Sequence, residues 1–211
     1  MRRYVLLAVV AVVGSAPADE PAPRVENLLP LSVGNSWTYK VSTQDDPRFG
    51  PRVQDDRFVV RVVRQEMVGE QTCFRLDASL KDRVVATEHL AYTKDGLCRF
   101  RVDREDVNPP VPILRPMVTA KGKQWKEEYR LGGGRTATAT FTVQNPAGSA
   151  NVPAGKFKTV SIHAEMGDGG GFPKTTVWYA EGVGVVRQRI EEGKRPPLLL
   201  ELEKFEKEEG K

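Results

Sequence analysis

The chain has 211 residues, with 32 Lys and Arg against 28 Asp and Glu and two cysteines. That length suits one domain with a real hydrophobic core. Setting aside Arg2 and Arg3 leaves 30 basic residues against 28 acidic ones, interleaved as in Arg101-Val102-Asp103-Arg104-Glu105-Asp106, so the charge pattern excludes a nucleic-acid-binding stripe.

Met1-Arg2-Arg3 is a basic start, residues 4–13 are apolar without a break, and Ala16-Pro17-Ala18 is an A-x-A cleavage site. Residues 1–18 therefore read as a signal peptide cleaved after Ala18. The apolar run is shorter than the roughly 20 residues that span a bilayer, so no stable transmembrane segment is expected after cleavage. The expected location is the periplasm, the cell envelope or the medium. Residues 19–27 read as a flexible leader, 28–206 as a single β domain and 207–211 as a charged tail.

The domain opens at Leu28 to Val41, where Trp37, Tyr39 and Val41 alternate with Ser36, Thr38 and Lys40. Strands are then expected at 57–65, 72–80, 83–92 and 97–102. Turn chemistry separates them, notably the Asp95-Gly96 hairpin signal. The carboxylates of the 44–56 loop fit no calcium-loop spacing.

Four prolines between Asn108 and Met117 argue against a helix and against a ladder-forming strand, so an extended proline-rich crossing segment is expected there. Its Val111, Ile113, Leu114 and Met117 must be buried, as plain core or as a strap over a cavity. Strands resume at 126–131, 135–144, 156–166, 174–180, 183–190 and 198–205. The fold expected is all-β: a single strongly curved antiparallel sheet, half-barrel-like, of about ten or eleven strands, with a closed barrel or a two-sheet sandwich as alternatives.

Alternation puts Cys73 and Cys98 on opposite faces if their strands share a sheet, so two free thiols, one of them buried, are expected. His89 and His163 each stand alone on a strand, without metal-site spacing. Glu88, Asp103, Glu105 and Asp106 lie among basic residues and read as cross-strand ion pairs. No catalytic or metal motif is present, so a non-catalytic protein with no cofactor is expected. The aromatic residues carry more information. Trp37, Tyr39, Phe58, Phe74, Tyr92 and Trp178, with Val111, Ile113 and Leu114, are the candidate lining of a concave apolar face.

The segments around Leu28 to Val41, Val152 to Thr159 and Trp178 to Val186 resemble the "PLxVGNxWTY", "VPAGxFKT" and "WYAxGVGxV" patterns of an uncharacterised secreted bacterial family. The implied architecture is more remotely similar to the lipoprotein-carrier half-barrels of the bacterial envelope. By that resemblance the protein would bind a lipid, an acyl chain or an envelope partner. The alternative is a structural or protein-interaction module of the envelope with a self-filled core.

Overall fold

The computed structural model describes residues 24–43, 53–118, 120–132, 134–167 and 173–208, with backbone alone for 53–56. The expected signal peptide, the calcium-like carboxylates of the 44–56 loop and most of the charged tail lie outside this description. One helical turn, α1 (Val25–Leu28), precedes twelve strands. They are β1 (Ser36–Thr43), β2 (Val53–Val68), β3 (Gln71–Leu80), β4 (Arg83–Thr93), β5 (Gly96–Val102) and β6 (Glu105–Leu114), then β7 (Gln124–Leu131), β8 (Arg135–Val152), β9 (Gly155–Met166), β10 (Lys174–Ala180), β11 (Gly184–Glu191) and β12 (Leu198–Glu206).

Each strand pairs antiparallel with its sequence neighbours, and β1 pairs with both β2 and β12, from Ser36↔Glu206 to Thr43↔Leu198. The sheet is therefore a closed twelve-stranded barrel, which corrects the half-barrel expectation. Bulges at Thr38/Tyr39, Lys40/Val41, Ala78/Ser79 and Trp178/Tyr179 bend the strands. Such added local twist and bend let a meander meet its own first strand.

The proline-rich segment is a wall strand, β6, not a crossing. Pro109 and Pro110 sit where the ladder is interrupted; Pro112 stands opposite Cys98, and Met117, in the turn after the strand, is exposed rather than buried. Between Arg101↔Asp106 and Arg99↔Val111 the pairing with β5 breaks, and the β7 side holds the single pair Asn108↔Arg130. Pro109 and Pro110 thus remove N–H groups that have no ladder partner to lose. The indole N–H of Trp125 donates to the Pro112 carbonyl at 2.7 Å, and Arg115 pairs with Glu127, tying β6 to β7 by side chains instead.

The ladder between β11 and β12 is also short, from Arg187↔Glu201 to Ile190↔Leu198. Beyond it the β8–β9 turn takes over. Ala154 N–H donates to the Leu202 carbonyl, and Arg187 donates to the Asn151 carbonyl.

The stretch read as a leader ends in structure, because Val25 and Leu28 of α1 are buried in the main core. Tyr92 donates to the Leu29 carbonyl at 2.6 Å, and Gly182 N–H to the Asn27 carbonyl. The segment from Val25 to Leu29 thus plugs one barrel end. Asn35, fully buried, fixes its exit: its amide donates to the Pro30 carbonyl and its side-chain oxygen accepts from Glu208 N–H.

The wall alternates as period two demands. On β7, Trp125 and Tyr129 are buried, while Lys126, Glu128 and Arg130 are exposed. An apolar inside and a charged outside reverse the pattern by which β-barrels cross bilayers. The apolar phase is the lumen. Cys73 and Cys98 are free and buried. Both lie on the outer face, not on opposite faces. Cys73 packs with Ala91 and Phe100, and Ala91 stands opposite Cys98 across β4–β5. With β4 between them, the two cysteines are about two strand spacings, ~10 Å, apart, beyond the reach of a bridge.

Candidate functional site

Twelve strands enclose more space than inward side chains fill; eight already leave room for a small ligand. The lumen holds a cavity of about 920 Å³. It continues towards the α1 plug as a recess of about 240 Å³, and both parts share Glu88, Arg99, Ile113, Val177, Tyr179 and Gln188. The recess is walled by Leu29, Trp37, Tyr39, Phe58 and Leu76. The larger part is walled by Val111, Tyr129, Ala139, Phe141, Ile162 and Ala164. It reaches solvent beside the exposed Glu105–Arg135 ion pair, on the hairpins opposite the plug.

Five of the residues expected on the concave face line this lumen: Trp37, Tyr39, Phe58, Val111 and Ile113. The structure places the other four elsewhere. Phe74 is partly buried against the core without reaching the cavity, and Leu114 is fully buried in the wall. Tyr92 is spent on the plug through its bond to Leu29. Trp178 faces outward, under the Arg187 guanidinium 5.8 Å from its ring centre. Its neighbours Val177 and Tyr179 hold the inward positions.

A polar centre absent from the expected lining sits in the middle of the cavity. Arg99 on β5 donates to Glu88 on β4 at 2.7 Å. Glu88 precedes the outward His89, so alternation puts it inside. The expected ion pairing of Glu88 is thus real, but inside the barrel. Desolvation by burial pushes the Tyr179 hydroxyl far above its ordinary pKa, with Arg99 pulling it down and Glu88 pushing it up. The Tyr129 hydroxyl is raised by burial and eased by the same Arg99. Both phenols therefore stay protonated donors at neutral pH. Tyr39, raised by burial and by Tyr179, already donates to the Val185 carbonyl at 2.9 Å. Among the described residues, the Tyr179 hydroxyl and the Gln188 amide have no hydrogen-bond partner, and Arg99 Nε is buried without one.

The histidines lie outside the lumen. His89 is buried on the outer face with Nε2 against Glu66 and Nδ1 unpartnered. Hydrogen bonds from His89 and then Arg64 hold the Glu66 carboxyl below its usual range. Glu66 stands opposite Cys73, whose thiol burial pushes up to about 11. A buried thiol with a raised pKa is inert, so the pair has no activated sulfur nucleophile beside it. His163 contacts Thr176 and Glu165 on the outer wall. Among the described residues no group of three His, Cys, Asp or Glu could hold a metal ion.

Two solved structures are similar to this chain. One, titled a "putative exported protein with YmcC-like fold" from Bacteroides fragilis NCTC 9343, aligns over 85% of this chain and 99% of its own, at 13% identity and a TM-score of 0.44. The other, titled a "putative lipoprotein" from Parabacteroides distasonis ATCC 8503, aligns over 89% of this chain and 100% of its own, at 11% identity and a TM-score of 0.48. Neither likeness bears on function. No family model and no curated protein matches the chain at a significant level.

Proposed function

We propose that the protein is an exported, non-catalytic carrier of an apolar ligand, a lipid or acyl chain, held inside the barrel, and a member of the secreted family its three segment patterns resemble. One observation carries this reading: the apolar lumen of about 920 Å³ that side chains leave unfilled. Ligand pockets have volumes of roughly 300–1,000 Å³, mostly apolar walls and a few placed polar groups. The basic start, apolar run and A-x-A site of residues 1–18 support export. A self-filled interaction module has less support, since its core would leave no such volume.

The test is binding of the fluorescent apolar probe N-phenylnaphthylamine to the wild type and to Ala164→Trp. Ala164 lines the lumen, and an indole there occupies the cavity without touching the outer wall. The expected result is saturable probe binding by the wild type and a loss of about tenfold or more in the variant, with circular dichroism unchanged. Equal binding by a folded Ala164→Trp would place the probe outside the lumen and sink the carrier reading.

A further inference from the structure

We infer that the lumen selects an uncharged amphiphile with a carbonyl acceptor, such as a fatty-acyl ester or amide, over a free fatty-acid anion. This rests on the carrier reading above and names the ligand class. Its first support is charge. The charged residues lining the larger cavity are Glu88, Arg99, Asp103, Arg104, Glu105 and Arg135, three acidic and three basic. The two deepest, Glu88 and Arg99, are bonded to each other, and Glu105 and Arg135 form a pair at the mouth. A carboxylate arriving at the polar centre meets an Arg99 already bonded to Glu88, and it leaves a net negative charge in an apolar chamber. That costs free energy, and the acid binds as its neutral form instead.

The second support is the balance of donors and acceptors. Tyr179 is buried, lines both parts of the cavity, and its hydroxyl has no partner among the described residues. Gln188, whose amide has no partner among the described residues, lines the same two parts. Arg99 commits one of its five N–H donors to Glu88. An ester or amide carbonyl satisfies these donors while adding no charge, and its chain lies along Val111, Phe141 and Ile162.

The experiment compares monodecanoylglycerol with decanoate, each displacing N-phenylnaphthylamine, on the wild type and on Glu88→Gln. The wild type at pH 8 is expected to bind monodecanoylglycerol more tightly. Its affinity for decanoate falls as pH rises and the neutral acid disappears, while that for monodecanoylglycerol stays flat. Glu88→Gln frees the Arg99 charge. It is expected to shift the affinity ratio towards decanoate by about tenfold or more, the scale on which one adjacent cation favours a carboxylate.

Decanoate binding to the wild type as tightly as monodecanoylglycerol at pH 8, or a folded Glu88→Gln with an unchanged ratio, would overturn the inference. If the variant does not fold, the wild-type pH series decides: decanoate affinity that does not fall with pH overturns it. Probe binding that neither decanoyl compound displaces also overturns it but leaves the carrier reading intact. Failure of the probe itself to bind removes both.

Discussion

Trp37→Ala is expected to lower the unfolding free energy by about 3–5 kcal/mol, the range for deleting a buried Trp. Trp37 is 1% exposed and stacks on its cross-strand partner Phe205 with ring centres 5.3 Å apart. Its indole N–H donates to the Val183 carbonyl at 2.6 Å. One side chain thus ties β1 to β12 at the closure and to the turn before β11. Gly184 leaves room for it, since a Cβ there would lie 2.9 Å from the indole nitrogen. Urea unfolding checks this, with a lower midpoint at unchanged slope. Trp37→Phe keeps the stack, loses the indole bond and should fall between the two. A loss below about 1 kcal/mol for the alanine variant would show that Trp37 does not hold the closure.

The second large effect is at Gly96. Its φ of +111° disfavours any residue with a Cβ, and an added Cβ would overlap the Leu114 carbonyl oxygen and lie 3.1 Å from Arg115 Cα. Both clashes are with backbone, which cannot rotate away. Gly96→Ala should therefore cost about 3 kcal/mol or more, or prevent folding. Gly69 is the control. It has φ +60° and open space around it, so Gly69→Ala carries the backbone term alone, about 1–2 kcal/mol. Equal losses at the two sites would mean that β4–β5 and β6 do not approach at Gly96 as described.

Strand identity was legible because period two is local. Trp37, Tyr39 and Val41 alternate with polar residues in the sequence and are all buried. Barrel closure was not legible. It is the meeting of Ser36 with Glu206 and of Thr43 with Leu198, and no local pattern encodes a pairing across the whole chain. β6 was misread for a different reason. Proline excludes a residue from a ladder bond, but only topology reveals that Pro109 and Pro110 fall where the ladder is broken on both sides.

The lumen was half legible. Aromatic bulk pointed to Trp37, Tyr39 and Phe58, and burial of the proline-rich segment pointed to Val111 and Ile113. Bulk misled at Trp178, since consecutive strand residues cannot both point inward and Tyr179 takes that position. Counting by two from the apolar Leu90 places Glu88 inside, and pairing with β4 places Arg99 beside it. A charged residue at an inward position was the available signal for the polar centre. The cysteines show the limit of parity: Phe100 packs on the outer face with Cys73 while Val102 lines the lumen, across the register shift between Arg99 and Arg101, so apolar neighbours on β5 do not mark Cys98 as inward.

The central claim is that the lumen carries an apolar ligand. Native mass spectrometry of the protein purified from the cells that make it tests this most directly. The account predicts a stoichiometric, uncharged, solvent-extractable adduct on the wild type that is missing from folded Ala164→Trp. Wild-type protein that is folded, monomeric and free of any adduct, and that takes up no monodecanoylglycerol when it is added, would contradict it.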